Sequence, residues 1–161
     1  MKQKIRIAAG QGFWGDLPDA PVRQVEGGPI DYLMLDYLAE VTMSIMQKQK
    51  ARDPNAGYAR DFVSLMKEIL PACVERDIKV VANAGGVNVE GCANAVVAVA
   101  RNLGLSGKVK IGIVTGDNIL ERIDISLRAG SSCGIWTQTR CSQLYVIVFK
   151  ARMLIWARRR S

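Results

Sequence analysis

The spacing of apolar positions changes repeatedly along the chain, and each change marks a new element. Residues 78–82 form a short apolar, β-branched run that suits a strand covered on both faces. Asn83, Ala84, Gly85, Gly86, Val87 and Asn88 follow as turn chemistry, and then Cys92, Val96, Val99 and Leu103 recur at helical spacing. Asn88 stands where a helix N-cap belongs, Glu90 suits the first-turn dipole, and Gly104 is placed to end the helix. Residues 5–12 and 110–117 repeat the grammar of a strand running into glycines. Tyr32 to Leu35 is a further apolar run. Between these lie two helical patterns. Residues 37–51 put Leu38, Val41, Ile45 and Met46 on one face, which predicts a core-facing helix. Residues 59–76 turn Phe62, Leu65, Met66 and Ile69 inward, with Pro71 expected to kink the helix or start a new turn. Asp53 to Tyr58 is a turn.

The resulting order is strand, short segment, strand, helix, helix, strand, helix, strand. That alternation predicts an α/β fold with three layers, a mostly parallel sheet and right-handed crossovers, in the manner of Rossmann and flavodoxin-like folds. Parallel strands bring their glycine-bearing carboxyl ends to one edge, where open α/β sheets bind ligands. Asp16, Asn83, Asn88 and Asp117 are all expected there, in one cleft. The amides of Gly12, Gly15, Gly85 and Gly86 are candidates to hold an anionic group, with Asn88 beside them and Asp16, Asn83 and Asp117 near the reacting atoms. The competing reading is structural: Asp16 and Asp117 cap the helices that follow them, and the two asparagines shape turns.

Gly10 to Gly15 also spells GxGxxG, and Asp36 lies roughly where a ribose-binding acid would sit. A nicotinamide-dependent oxidoreductase is therefore the alternative function. The context argues against it, because Pro18 and Pro21 fall where the helix should begin and Phe13 and Trp14 crowd the turn.

Composition narrows the chemistry. The 161 residues suit one domain. Histidine is absent, which excludes Ser-His-Asp and Cys-His nucleophile systems and any His-ligated metal; no metal is expected. The net charge of +7 is unevenly spread: residues 1–124 carry 15 basic and 15 acidic side chains, so the excess belongs to residues 125–161. The body thus lacks the basic face that nucleic acid would need. No run is long enough to span a bilayer and no secretory leader is expected, which together predict a cytoplasmic protein. Cys73, Cys92, Cys133 and Cys141 match no zinc or CxxC spacing, and Cys73 and Cys92 are expected to be buried reduced thiols. A nucleophilic Cys92, activated by the first turn of its helix, is the alternative.

Residues 9–16, Asp31-Tyr32-Leu33 with Leu38-Ala39-Glu40, residues 53–58, residues 83–88 and Val114-Thr115-Gly116-Asp117 resemble, in order, the N-terminal domain of the acyclic terpene utilisation protein A family. The resemblance covers residues 3–124. It implies catabolism of citronellol- and geraniol-type terpenoids through acyl-CoA intermediates, by a reaction that is undefined, with no cofactor assigned. A small-molecule or acyl-CoA substrate, a homo-oligomer and a carboxylase partner are the implied associations. A non-catalytic partner subunit is another alternative. The chain departs from the family pattern at Val89, where proline is expected, and at Asn118, where a second aspartate is expected.

Residues 125–161 do not carry the resemblance. Read one frame over, the codons permitted for residues 133–141 and 153–157 can spell strings similar to those the family carries there. The expectation is therefore an incomplete domain over 1–124 and a frameshifted or mis-spliced tail over 125–161, poorly docked and leaving the chain inactive. The rival reading makes residues 144–157 a basic, membrane-surface element. Within it, the alternation from Tyr145 to Phe149 reads as strand rather than helix.

Overall fold

A computed structural model of the chain describes residues 4–116 and the backbone of Val146–Lys150. The elements are β1 (Ile7–Gln11), α1 (Ala20–Gly27), β2 (Tyr32–Leu35), α2 (Glu40–Arg52), α3 (Arg60–Arg76), β3 (Lys79–Ala82), α4 (Val89–Asn102), β4 (Val109–Ile113) and β5 (Val146–Lys150). They build one five-stranded sheet in the order β1-β2-β3-β5-β4. β1, β2 and β3 pair in parallel, while β5 is antiparallel to both β3 and β4. β4 therefore runs in the same direction as the first three strands. The chain is an α/β fold, as its alternation of periods requires.

Local signals explain most element ends. Asn88 caps α4 by accepting the Gly91 N–H at 3.1 Å, and the helix closes into Gly104 at φ +68°. α3 buries Phe62, Leu65, Met66, Ile69, Leu70 and Cys73 along one stripe. It runs on to Arg76 past Pro71, so no new turn begins there. Pro71 is exposed, and the carbonyl of Lys67 that lacks its N–H partner lies on an exposed residue too, where solvent can satisfy it. The short segment after β1 is a helix. Pro21 sits in the first turn of α1, where a missing N–H costs nothing.

Strand order decides where the helices go. The first three strands advance across the sheet in one direction, and β4 continues beyond β5. Right-handed crossovers along a sheet that never reverses put every helix on the same face. Accordingly α1 packs against α3 and α3 against α4, over Ala8, Leu33, Leu35, Val80 and Ala82. Gly10 belongs to this face, where a Cβ would meet Leu33 Cδ1 at 2.8 Å and Leu35 Cδ2 at 2.9 Å. The opposite face carries Ile7, 68% exposed, and Met34, 43% exposed. The described residues thus form two layers, and the third expected layer is not among them.

α2 departs from its expected orientation. Met43 and Met46 are buried, whereas Val41 and Ile45, assigned to the core-facing side, are exposed. α2 meets the loop after β3, where Met46 fills the space beside Gly86 and Lys50 donates to the Val87 carbonyl. No helix among the described residues is long and apolar enough to cross a membrane.

β5 comes from the segment expected to lie outside the domain. Val148 is the register partner of both Val80 on β3 and Ile111 on β4. Proline at a central strand position removes ladder hydrogen bonds and costs about 3 kcal/mol or more elsewhere in regular structure. Val148→Pro should therefore lower the urea midpoint markedly. An unchanged midpoint would mean that residues 146–150 do not hold β4 to the sheet.

Candidate functional site

The carboxyl ends of β1, β2 and β3 lie at one edge because the three strands are parallel, with a shift in register between Ala9 and Gln11 of β1. The loops that follow them carry Asp16, then Asp36 and Tyr37, then Asn83 to Asn88. Asn83 is the joint between them. Its side chain is buried, accepts the Tyr37 N–H at 2.7 Å through Oδ1 and donates through Nδ2 to Asp36 Oδ1 at 2.6 Å. Asp36 N–H in turn donates to the Gln11 carbonyl at 3.0 Å, which links all three strand ends. Tyr37 is buried edge-on against Phe62, with ring centroids 5.8 Å apart. Burial, and then the nearby Asp61 and Cys92, push its hydroxyl pKa up.

A second joint ties the loop after β3 to the turn before α3. Asn88 Nδ2 donates to the carbonyls of Pro54 at 3.1 Å and Ala56 at 2.8 Å. Val87 N–H donates to the Gly57 carbonyl and Ala59 N–H to the Ala84 carbonyl, both at 2.9 Å, and Lys50 Nζ donates to the Val87 carbonyl at 2.6 Å. Gly86, at φ +52°, lets these segments meet: a Cβ there would collide with Met46 Sδ and lie 2.7 Å from the Gly57 carbonyl. A Cβ on Gly85 would press on Val89 at 3.0 Å. Close packing therefore accounts for both glycines without a ligand.

The loop after β1 is organised by Asp16. Its two carboxylate oxygens accept the Gly12 N–H at 3.0 Å and the Leu17 N–H at 2.8 Å. These bonds, Gly12 first, hold its pKa below the ordinary carboxylate value. Trp14 Nε1 donates to Asp61 Oδ1 at 3.0 Å, a contact between the loop and α3 that no local pattern signals.

Asp16, Asn83 and Asn88 all follow carboxyl ends of parallel strands, while Asp117 lies outside the described residues. Asn83 and Asn88 spend their side chains on backbone groups and on Asp36. The Gly12 amide is committed to Asp16, so the expected anion cradle loses that donor. The amides of Gly15 and Gly85 donate to no described residue, and Gly86 donates to the Asn83 carbonyl at a long 3.4 Å. Asp36, the acid proposed for a ribose, accepts from Asn83 and from Leu38 N–H instead. α1 starts at Ala20, well beyond Gly15, so the GxGxxG stretch does not open a helix onto a pyrophosphate. Among the described residues no group of three or more acidic or thiol ligands could hold a metal ion.

Two other features lie apart from this edge. A groove of about 300 Å³ between α4 and β4, lined by Val97, Arg101, Leu105, Val109 and Ile111, holds none of the candidate residues. Cys73 and Cys92 are free and buried, and burial raises each thiol from an ordinary 9.0 to about 12, with Arg76 lowering Cys73 slightly. Burial outweighs the helix first turn at Cys92, so this thiol is no nucleophile at neutral pH. Cys133 and Cys141 lie outside the described residues.

A family model described as acyclic terpene utilisation family protein AtuA matches residues 5–150. The chain belongs to this family. The match continues past Asp124, where the resemblance read motif by motif stops, to the end of β5. No curated protein and no solved structure matches the chain.

Two outcomes follow from these contacts. Asn83→Asp sets a second carboxylate against Asp36 in a buried site. It should cost about 2 kcal/mol or more at neutral pH. Such a pair has one pKa raised, so the loss should shrink as pH falls toward about 4 and one carboxyl protonates. Asn83→Ala should lose stability at both pH values; equal pH profiles for the two variants in urea melts would refute the contact. Separately, the thiols and Tyr37 hold their protons more tightly when folded. Their stabilisation is complete below about pH 9 and should drain away as pH climbs toward 12, on the order of 1 kcal/mol per pH unit for each group. Urea midpoints measured between pH 8 and pH 10.5 check the slope, which Cys73→Ala with Cys92→Ala should flatten.

Proposed function

We propose that this family member serves the breakdown of acyclic terpenoids by binding a branched acyl-CoA at the carboxyl edge of its parallel strands. Family membership over residues 5–150 carries the reading. The geometry supports the place: three loops converge there, and the amides of Gly15 and Gly85 have no described acceptor. Gly86 offers a weakly engaged third donor. An anionic or carbonyl oxygen is the group such amides accept.

Roles divide by what each side chain already touches. Asn83 and Asn88 fix the loops and position the amides beside them. Asp16 is half-buried and held in its anionic form, ready to accept a hydrogen bond from a hydroxyl or amide of the substrate. Asp117, which lies outside the described residues and follows β4 in the chain, is proposed to take part in the reaction as well. Citronellol- and geraniol-type chains are the substrate class proposed here.

Hydrogen exchange tests the site directly. A geranyl- or citronellyl-CoA thioester should slow exchange at Gly15, Gly85 and Gly86, while free coenzyme A should protect them several-fold less. Unchanged exchange at these amides with millimolar thioester would reject the site. Quenching of Trp14 by NADH, lost in Asp36→Ala, would instead favour the nicotinamide reading.

A further inference from the structure

Among the described residues three polar side chains are buried, and two of them are accounted for. Lys79 pairs with the Asp77 carboxylate, and Asn83 is matched at both ends of its amide. Gln11, only 7% exposed, is matched at one end. Its Nε2 donates to the Phe13 carbonyl at 3.1 Å, while its Oε1 accepts from no described residue. An amide that faces a carbonyl must present its N–H donors there, which turns Oε1 the other way. A buried acceptor without a donor is costly and calls for a partner.

Gln11 is the last residue of β1, and its placement breaks the alternation of that strand. Ile7 and Ala9 are exposed on the open face, and strict alternation would put Gln11 with them. The pairing with β2 shifts between Ala9 and Gln11, and Gln11 is buried instead. Irregularities of this kind re-aim a side chain and are common beside functional sites. The bond to Phe13 sets the carboxamide against the loop after β1, which also carries Asp16 and the uncommitted Gly15 amide. The main-chain carbonyl of Gln11 is already tied to the Asp36 N–H.

We infer that Gln11 is a substrate-recognising residue whose Oε1 accepts the amide N–H of the pantetheine arm of a coenzyme A thioester. This rests on the acyl-CoA reading of the carboxyl edge. The Gly15 and Gly85 amides offer donors to a thioester oxygen, and Gln11 offers an acceptor. A coenzyme A thioester carries both partners close together, since only the sulfur and a short ethylene link separate its carbonyl from the first pantetheine N–H. A free carboxylate or a phosphate would satisfy the amides and leave Oε1 unpaired. An acyclic hydrocarbon chain has no donor to give, so Gln11 reads the carrier and not the chain.

Two thioesters of geranic acid test this. One is formed on N-acetylcysteamine, which keeps that N–H; in the other an ester oxygen replaces it. Titrations of the full chain are followed at the Gly15 and Gly85 amide resonances. The wild-type chain should bind the amide form about ten-fold more tightly, because a site built around a hydrogen bond rejects the analogue that lacks it. Gln11→Met, similar in length and apolar, should bind the two forms within about two-fold of each other and keep the wild-type affinity for the ester form. Its urea midpoint should move little, since loss of the Phe13 bond is offset by removal of an unpaired buried acceptor. Equal binding of the two forms by the wild-type chain overturns the proposal without any variant. So does a preference for the amide form that survives in Gln11→Met. Either result leaves the carboxyl-edge site standing, because the two resonances still move. Resonances that move with neither thioester reject the site itself, and the assignment of Gln11 with it.

Discussion

Everything at the carboxyl edge hangs on one buried amide. Asn83 is the only side chain in the loop after β3 that reaches across to β2, and it does so with both ends of its amide. An unpaired buried amide or carboxylate would cost one to a few kcal/mol, so the pair with Asp36 and the Tyr37 N–H is a strict requirement rather than a decoration. From that joint Tyr37 is delivered to Phe62, and Phe62 anchors α3. The second joint, Asn88 on the carbonyls of Pro54 and Ala56, carries the restraint onward to the start of α3. The two asparagines therefore hold the loops, while half-buried Asp16 and the amides of Gly15 and Gly85 keep hydrogen-bonding capacity.

Winding imposes the second constraint. A sheet whose strands advance in one direction keeps its helices on one side, and it contains no reversal point between β1 and β3. Ligand crevices in open α/β sheets open where the strand order reverses. Here loops joined by side-chain amides shape the edge instead, and α2 meets the one after β3. That placement explains why an apparently ordinary amphipathic segment turns Val41 and Ile45 outward. Met46 is claimed by the loop after β3, against Gly86, and the opposite side is left over.

Family membership and geometry meet at this edge but speak to different questions. Membership points to acyclic terpene utilisation and leaves the reaction undefined. Geometry says which groups are already spent. The Gly12 amide, Asp36 and both asparagines are engaged, whereas Asp16 and the amides of Gly15 and Gly85 retain capacity. The same accounting weakens a dinucleotide role, because the GxGxxG glycines neither open a helix nor leave Asp36 free for a ribose.

Short-range physics was legible in the residues themselves. The inward stripes of α3 and α4, the Asn88 cap, the Gly104 stop and the four parallel-type strands follow from periodicity and from backbone preferences that act within a few residues. The shared carboxyl edge followed too, since alternation of strand and helix forces parallel pairing. The short segment after β1 proved to be α1, which accommodates Pro21 because a proline that breaks a helix interior is harmless in the first turn. The rest depends on contacts distant in sequence. Which side α2 buries was decided by glycines some 40 residues away, not by its own weak pattern. Asn83's partners lie 46 and 47 residues back in the chain, and Trp14 finds Asp61 47 residues on. β5 joins the sheet between two strands that precede it by far, a pairing that no local signal encodes. Only the tertiary structure could settle these, because a side chain's role is set by what is brought beside it.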